Sequence, residues 1–249
     1  MKIGIVKHLN ARPLTYGFEK FGIHPVFSES PAVLKDMLLR GELDTALISS
    51  IEVLRNKETL GFSDKFGVCA EKKVRSILFF KNKSENFPPK EVFVDSGSRS
   101  SVALLKLLLK LQTGWDIIMT PRDPEEIAEG LLKNNGSHLL FGDNALLTGS
   151  KPEFFEVIDL ASWWNQVTGF SFCFAFWAYP KNSPLPDEFF GESLEYGLRN
   201  INEIISQEKR FSPSLVSDYL NKDLHYVLSE SDRKGFSLFE EKCEEYGYL

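Results

Sequence analysis

This sequence predicts an α/β fold of two lobes with a ligand cleft between them, and three observations predict it. Short apolar segments alternate with stretches of helical spacing through the first two thirds of the chain, the pattern of a mostly parallel sheet covered by helices. A polar segment, Lys81 to Lys90 with Pro88-Pro89, then reads as a linker, and a fresh series of strands and helices follows it. Finally Phe170 to Ala178, apolar and aromatic between Gly169 and Pro180, reads as a strand returning to the first unit. The chain thus crosses twice, near residues 80 and 177. Lobe I is expected to comprise 1–80 with 178–249, and lobe II 81–177.

The elements follow in order. Lys2 to Val6 is a strand, and Pro13 to Phe21 a helix opened by proline in its first turn. His24 to Phe27 is a second strand. Pro31 to Arg40 is spaced as a helix and stops near Gly41. Thr45 to Ile48 is a third strand, with a helix through Ile51 and Leu54. Beyond the linker come a strand at Glu91 to Val94, a helix from Arg99 to Leu111 and another from Pro124 to Lys133. Leu139 to Phe141 and Glu156 to Asp159 are short strands. From Pro186 onward the chain is helical and charged.

Composition narrows the function. With 43% hydrophobic residues among 249, the chain can bury a sizeable core. A net charge of −6 argues against nucleic acid as a partner. No apolar run approaches the roughly 20 residues of a membrane span, and the opening strand is too brief for a signal peptide, so a cytoplasmic protein is expected. Cys69, Cys173 and Cys243 are odd in number and far apart, and His24, His138 and His225 lie apart at expected surface or strand-end positions. Neither a disulfide framework nor a metal site follows from that spacing.

Three segments could carry chemistry. In His8-Leu9-Asn10-Ala11-Arg12-Pro13, directly after the first strand, Asn10 either caps the helix or joins free helix amides in pointing donors into the cleft. In Val74-Arg75-Ser76-Ile77, no Gly-x-Ser-x-Gly elbow surrounds Ser76, which leaves it structural or a hydrogen-bonding group for substrate. In Asp95-Ser96-Gly97-Ser98-Arg99-Ser100-Ser101, a turn before a helix, Ser98, Arg99, Ser100 and Ser101 either cap that helix or hold an anion. It is not a P-loop, and a carboxylate fits it better than a nucleotide. Asp143 is either a helix cap or a cleft acid.

Together these segments resemble the chorismate dehydratase family of the futalosine route to menaquinone. The resemblance rests on Leu9 to Leu14, Gly41 to Ile48, Ser50 to Arg55, Val74 to Ile77, Asp95 to Val102, Gly142 to Leu146 and Thr168-Gly169 with the aromatic strand to Trp177. It implies a fold like the type II periplasmic binding proteins and a lyase, without cofactor or metal, that removes water from chorismate to give 3-[(1-carboxyvinyl)oxy]benzoate. The family's functional asparagine and serine fall on Asn10 and Ser76. Two departures stand out: His8 occupies a position where the family commonly has tyrosine, and Ala70-Glu71-Lys72-Lys73 replaces a small, glycine-containing turn. Chorismate has two carboxylates, so Arg12 or Arg75 on one lobe and the Ser98 to Ser101 turn on the other are the expected anchors. His8 or the substrate's own enolpyruvyl carboxylate is the expected base. The competing readings are a cytosolic small-carboxylate sensor on the same fold and the sister enzyme that makes 1,4-dihydroxy-6-naphthoate. The Asn-Ala-Arg-Pro-Leu run favours the dehydratase.

Overall fold

A computed structural model describes residues 1–28, 31–149 and 153–249. Its strands are β1 (Ile3–Val6), β2 (Val26–Ser28), β3 (Thr45–Ser49), β4 (Leu60–Ala70), β5 (Ile77–Asn82) and β6 (Glu91–Asp95). Then come β7 (Ile118–Arg122), β8 (Ser137–Phe141), β9 (Phe155–Asp159), β10 (Phe172–Pro180) and β11 (His225–Val227). The helices are α1 (Arg12–Lys20), α2 (Pro31–Leu39), α3 (Ser50–Arg55), α4 (Ser100–Thr113), α5 (Pro124–Leu132) and α6 (Gly142–Thr148). They continue with α7 (Leu160–Thr168), α8 (Asp187–Arg199), α9 (Ile201–Gln207), α10 (Pro213–Asp218) and α11 (Glu230–Glu245). Leu9–Ala11 forms one 3-10 turn and Tyr219–Asp223 one π-helical turn.

Local chemistry sets these limits. Pro13 sits in the first turn of α1, where its missing N–H costs nothing. Asp123 and Glu126 form a reciprocal capping box at α5, as Ser229 and Asp232 do at α11. Gly169 ends α7 at φ +75°, a left-handed conformation that a Cβ would strain, and so turns the chain into β10.

Two sheets make the two lobes. One is ordered β11-β4-β10-β3-β1-β2, the other β7-β6-β8-β5-β9. Neither is mostly parallel: β10 runs antiparallel to both β3 and β4, and β5 antiparallel to both β8 and β9. The strands on which the chain enters or leaves a lobe run against their neighbours, which is why the sheets are mixed rather than doubly wound. The sheet changes between Ala70 and Ile77 and again between Asp159 and Phe172. The expected divisions at 80/81 and 177/178 therefore each fall inside a strand, β5 and β10. Apolar Ile77 to Phe80 looks the same whichever sheet receives it; its pairing with Leu139 and Ile158 decides.

Aromatic packing welds the lobes at the rear. Trp164 of α7 meets Phe172 and Phe239 edge-on, at centroid distances of 5.5 and 6.2 Å, and all three are buried. Leu104, Leu107 and Leu108 of α4 are fully buried in the same core.

Candidate active site between the lobes

The facing edges of the two sheets enclose a cavity of about 80 Å³. That is well under the roughly 300–1,000 Å³ of pockets that hold a small organic ligand, so such a ligand enters only as the lobes part. Lobe I contributes His8, Asn10 and Ser49; lobe II contributes Gly97, Ser98, Arg99, Ser100, Ser101, Phe141 and Gly142.

On the lobe I side, the turn after β1 decides what Asn10 does. His8 is the N-cap residue of the 3-10 turn and Ala11 that of α1, and neither helix start receives a side-chain cap. Asn10 is therefore not a cap, and its side chain lies at the cavity. The His8 ring packs edge-on against Phe141, with centroids 5.3 Å apart, and a Cβ on Gly142 would come within 3.3 Å of it. Gly142 also has φ +62°, so both its conformation and its space exclude a side chain.

On the lobe II side, neighbouring serines divide their work. The Ser100 hydroxyl lies 2.8 Å from that of Ser50 and accepts the Ile51 N–H at 3.0 Å, binding the start of α4 to the start of α3 across the cleft. The Ser98 hydroxyl is buried without a hydrogen-bond partner among the described residues, and so is that of Ser49 on the opposite wall. A buried hydroxyl left unpaired costs about 1–3 kcal/mol, and a ligand oxygen entering the cavity would relieve it. Behind the turn, Asp95 accepts the Gly97 N–H at 3.0 Å, and burial pushes its carboxyl up to about 6.

A family model described as "Menaquinone biosynthesis" matches residues 1–245. The chain belongs to that family. A chorismate dehydratase of Thermus thermophilus is 32% identical, over 96% of this chain and 93% of the relative. One from Campylobacter jejuni is 23% identical, over 98% of both chains. Among solved structures, a protein of Archaeoglobus fulgidus superposes with a TM-score of 0.76 at 15% identity, covering 100% of this chain and 98% of that one. The periplasmic aliphatic sulphonate binding protein SsuA of Escherichia coli gives 0.66 at 14% identity, covering 100% and 93%. The fold is thus the two-lobed one of periplasmic solute-binding proteins. These neighbours overturn the expectation of a cytoplasmic location, since a fold shared with periplasmic proteins, a short opening strand and the lack of a spanning helix do not place this family member in the cytoplasm.

Ser76, expected from the resemblance to be functional, lies at the first crossing and is fully buried. Its hydroxyl accepts a hydrogen bond from Tyr219 at 2.7 Å, and its carbonyl accepts the Gly142 N–H at 2.7 Å. Its neighbours Ile77 and Gly142 line the cavity. Three expected site residues, Arg12 and Arg75 as anchors and Asp143 as a cap or cleft acid, point elsewhere. Arg12 donates to Gln207 at 2.9 Å and lines an outer hollow of about 430 Å³ that shares Val6 and His8 with the cavity. Arg75, at φ +55°, pairs with Asp223 at 2.5 Å on the π-helical turn. Asp143 is neither a cap nor a cleft acid: it accepts the Leu9 N–H at 3.2 Å and pairs with Arg210 at 2.7 Å, tying α6 to lobe I. Of the expected residues, the structure gathers His8, Asn10, Ser98, Arg99, Ser100 and Ser101 around the cavity, keeps Ser76 one residue behind its lining and leaves Arg12, Arg75 and Asp143 outside it.

Sequence reading missed Ser49 and Tyr219. Ser49 ends β3 one residue before the family-like Ser50-Ile51 run, a position at which open sheets present ligand-binding groups. Tyr219 stands 143 positions from the serine it holds, and no local signal announces that contact.

Proposed function

We propose that the cleft removes water from chorismate to give 3-[(1-carboxyvinyl)oxy]benzoate, as a hydro-lyase of menaquinone biosynthesis. One observation carries this reading. In a chain of this family, one cavity gathers the uncapped Asn10 with two buried, unpartnered hydroxyls from opposite walls, those of Ser49 and Ser98. The lobes that close on it are residues 1–70 with 172–249, and 77–159. Both relatives bear the dehydratase name, which disfavours the sister naphthoate synthase.

The chemistry needs placement more than power. A base takes the ring proton at C3, and the electron pair delocalises through the ring diene into its carboxylate. The C4 hydroxyl then leaves and the ring becomes aromatic; the proton taken and the hydroxyl lost make up one water. Charge develops on a carboxylate and on a departing hydroxide, and both are stabilised by fixed donors in a dry site. The Asn10 amide, the Ser98 hydroxyl and the start of α4 beside Arg99 supply those donors. Ser76, whose hydroxyl accepts the Tyr219 O–H, keeps its own proton to donate to a ligand admitted as the lobes part. His8 is the base: of the side chains lining the cavity, only its imidazole can accept a proton near neutral pH.

Incubation with chorismate followed by mass spectrometry tests the proposal. The expected product is lighter by one water. Chorismate that is bound yet recovered intact would reduce the cleft to a binding site.

A further inference from the structure

Lobe I holds a second cluster of reactive side chains, away from the cleft. Register creates it. In the antiparallel row across β11, β4 and β10, His225 stands opposite Cys69, and Cys69 opposite Cys173. Residues directly opposite one another share a face of the sheet, about 4.5–5.5 Å apart at Cβ. Helix α11 then lays Asp232 over the row. The Cys69 sulfur, a His225 ring nitrogen and an Asp232 carboxylate oxygen all lie within 4.8 Å of one another.

We propose that Cys69, His225 and Asp232 form a divalent-metal site of the zinc type, with the fourth position left to a water. The donor set suits a borderline-soft ion that takes thiolate, imidazole and carboxylate in a tetrahedron. At the usual bond lengths, ligand atoms around such an ion stand roughly 3.3–3.8 Å apart, so the cluster needs inward shifts of at most about 1.5 Å and an opening of the His225–Asp232 pair by about 0.5 Å. The carboxylate is already oriented for it. Its Oδ2 accepts the Ser229 N–H at 2.7 Å and the Ser229 hydroxyl at 2.6 Å, while both oxygens face the His225 ring nitrogen, Oδ1 at 2.9 Å and Oδ2 at 2.8 Å. Hydrogen bonds of that kind fix a ligating carboxylate.

Charge and access agree. Cys69 and Asp232 are fully buried, and one thiolate with one carboxylate cancels a divalent charge in that dry setting. His225 has 34% of its side chain exposed, which gives the ion a way in. Bound there, the ion would staple β11 and α11 to the centre of the lobe I sheet.

The test uses the full chain, reduced and stripped by a chelator, titrated with Co²⁺ and then with Zn²⁺. One Co²⁺ per chain is expected, with the thiolate charge-transfer absorption of a sulfur-ligated tetrahedral ion, displaced by Zn²⁺. Zinc should also raise the melting temperature. His225→Gln changes a half-exposed residue on an edge strand, so it keeps its circular dichroism; it should bind at least tenfold more weakly and lose the zinc-induced rise. Cys69→Ser should abolish the charge-transfer band. Binding without that band, binding of several ions per chain, or titrations unchanged in both variants would overturn the proposal and leave a capping box beside two inert thiols.

Discussion

The cleft and the cysteine-histidine row lie on the same sheet and gather opposite kinds of group. At the cleft, the turn after β1 and the end of β3 present Asn10 and Ser49, neutral side chains that line one cavity with Ser98 and the start of α4 from the other lobe. On the row, β4, β10 and β11 align thiols and imidazole under a carboxylate. Amides and hydroxyls that donate without carrying charge suit an anion that must also depart. Thiolate and carboxylate suit a cation that stays. One sheet thus offers a place for turnover and a place for permanent attachment, and the separation can be tested from either side.

The largest effect is expected at His8. His8→Gln should lower turnover by about 10²-fold or more and remove the acidic limb of the pH–rate profile, while leaving Co²⁺ binding unchanged. Near-normal turnover in this variant would pass the role of base to the substrate's enolpyruvyl carboxylate. Next come Asn10→Ala and Ser76→Ala, each expected to cost at least about tenfold in turnover, or ~1.4 kcal/mol of transition-state stabilisation. Because Asn10 caps no helix, its variant should melt with the parent; a lower melting point with normal turnover would restore the capping role.

Smaller and opposed effects separate the two serines of the lobe II turn. Ser98→Ala should raise the melting temperature by removing an unpaired buried hydroxyl, yet weaken substrate binding by about 1–3 kcal/mol. Ser100→Ala should lower stability by about 0.5–1.5 kcal/mol through the lost contacts to Ser50 and Ile51. Calorimetry and binding on both variants check the contrast.

The smallest effect is one of pH. Burial raises the Asp95 carboxyl from 3.8 to about 6, so the folded chain keeps a proton that the unfolded chain has already released. Stability from this group is therefore lost as pH rises from about 4 to about 6, and the loss is complete above that window. Asp95→Asn retains an acceptor for the Gly97 N–H. Its melting temperature should exceed the parent's at pH 7.5 and approach it at pH 4.

Much of the fold was legible because period and punctuation are local. The strands at Ile3–Val6 and Thr45–Ser49 and the helix at Arg12–Lys20 fall within a residue or two of their expected limits. Leu60–Ala70 escaped because glycines, Ser63, Asp64 and Lys65 break its alternation, and His225–Val227 because three residues carry no period. His138, expected at a surface or strand end, is buried in β8, where its ring bonds the Asn135 carbonyl and burial holds its pKa down. In the site, chemical type was legible and direction was not. Arg12 and Arg75 are the cations a dicarboxylate wants, but Gln207 and Asp223, far along the chain, turn them away. The row at Cys69 was invisible for the same reason: spacing in sequence says nothing of register between strands.

Asp159, half-buried between the lobes, accepts the N–H groups of Val74, Arg75, Ala161 and Ser162. One side chain therefore grips the outgoing connection of lobe I and the first turn of the helix that leads back to it. The two connections are thus tied at one point, and bending either one strains the hydrogen bonds of the other. A motion that widens the mouth must then slide the opposite rim, where Ser50 meets Ser100 and Leu9 meets Asp143. Parting the jaws therefore breaks those rim contacts.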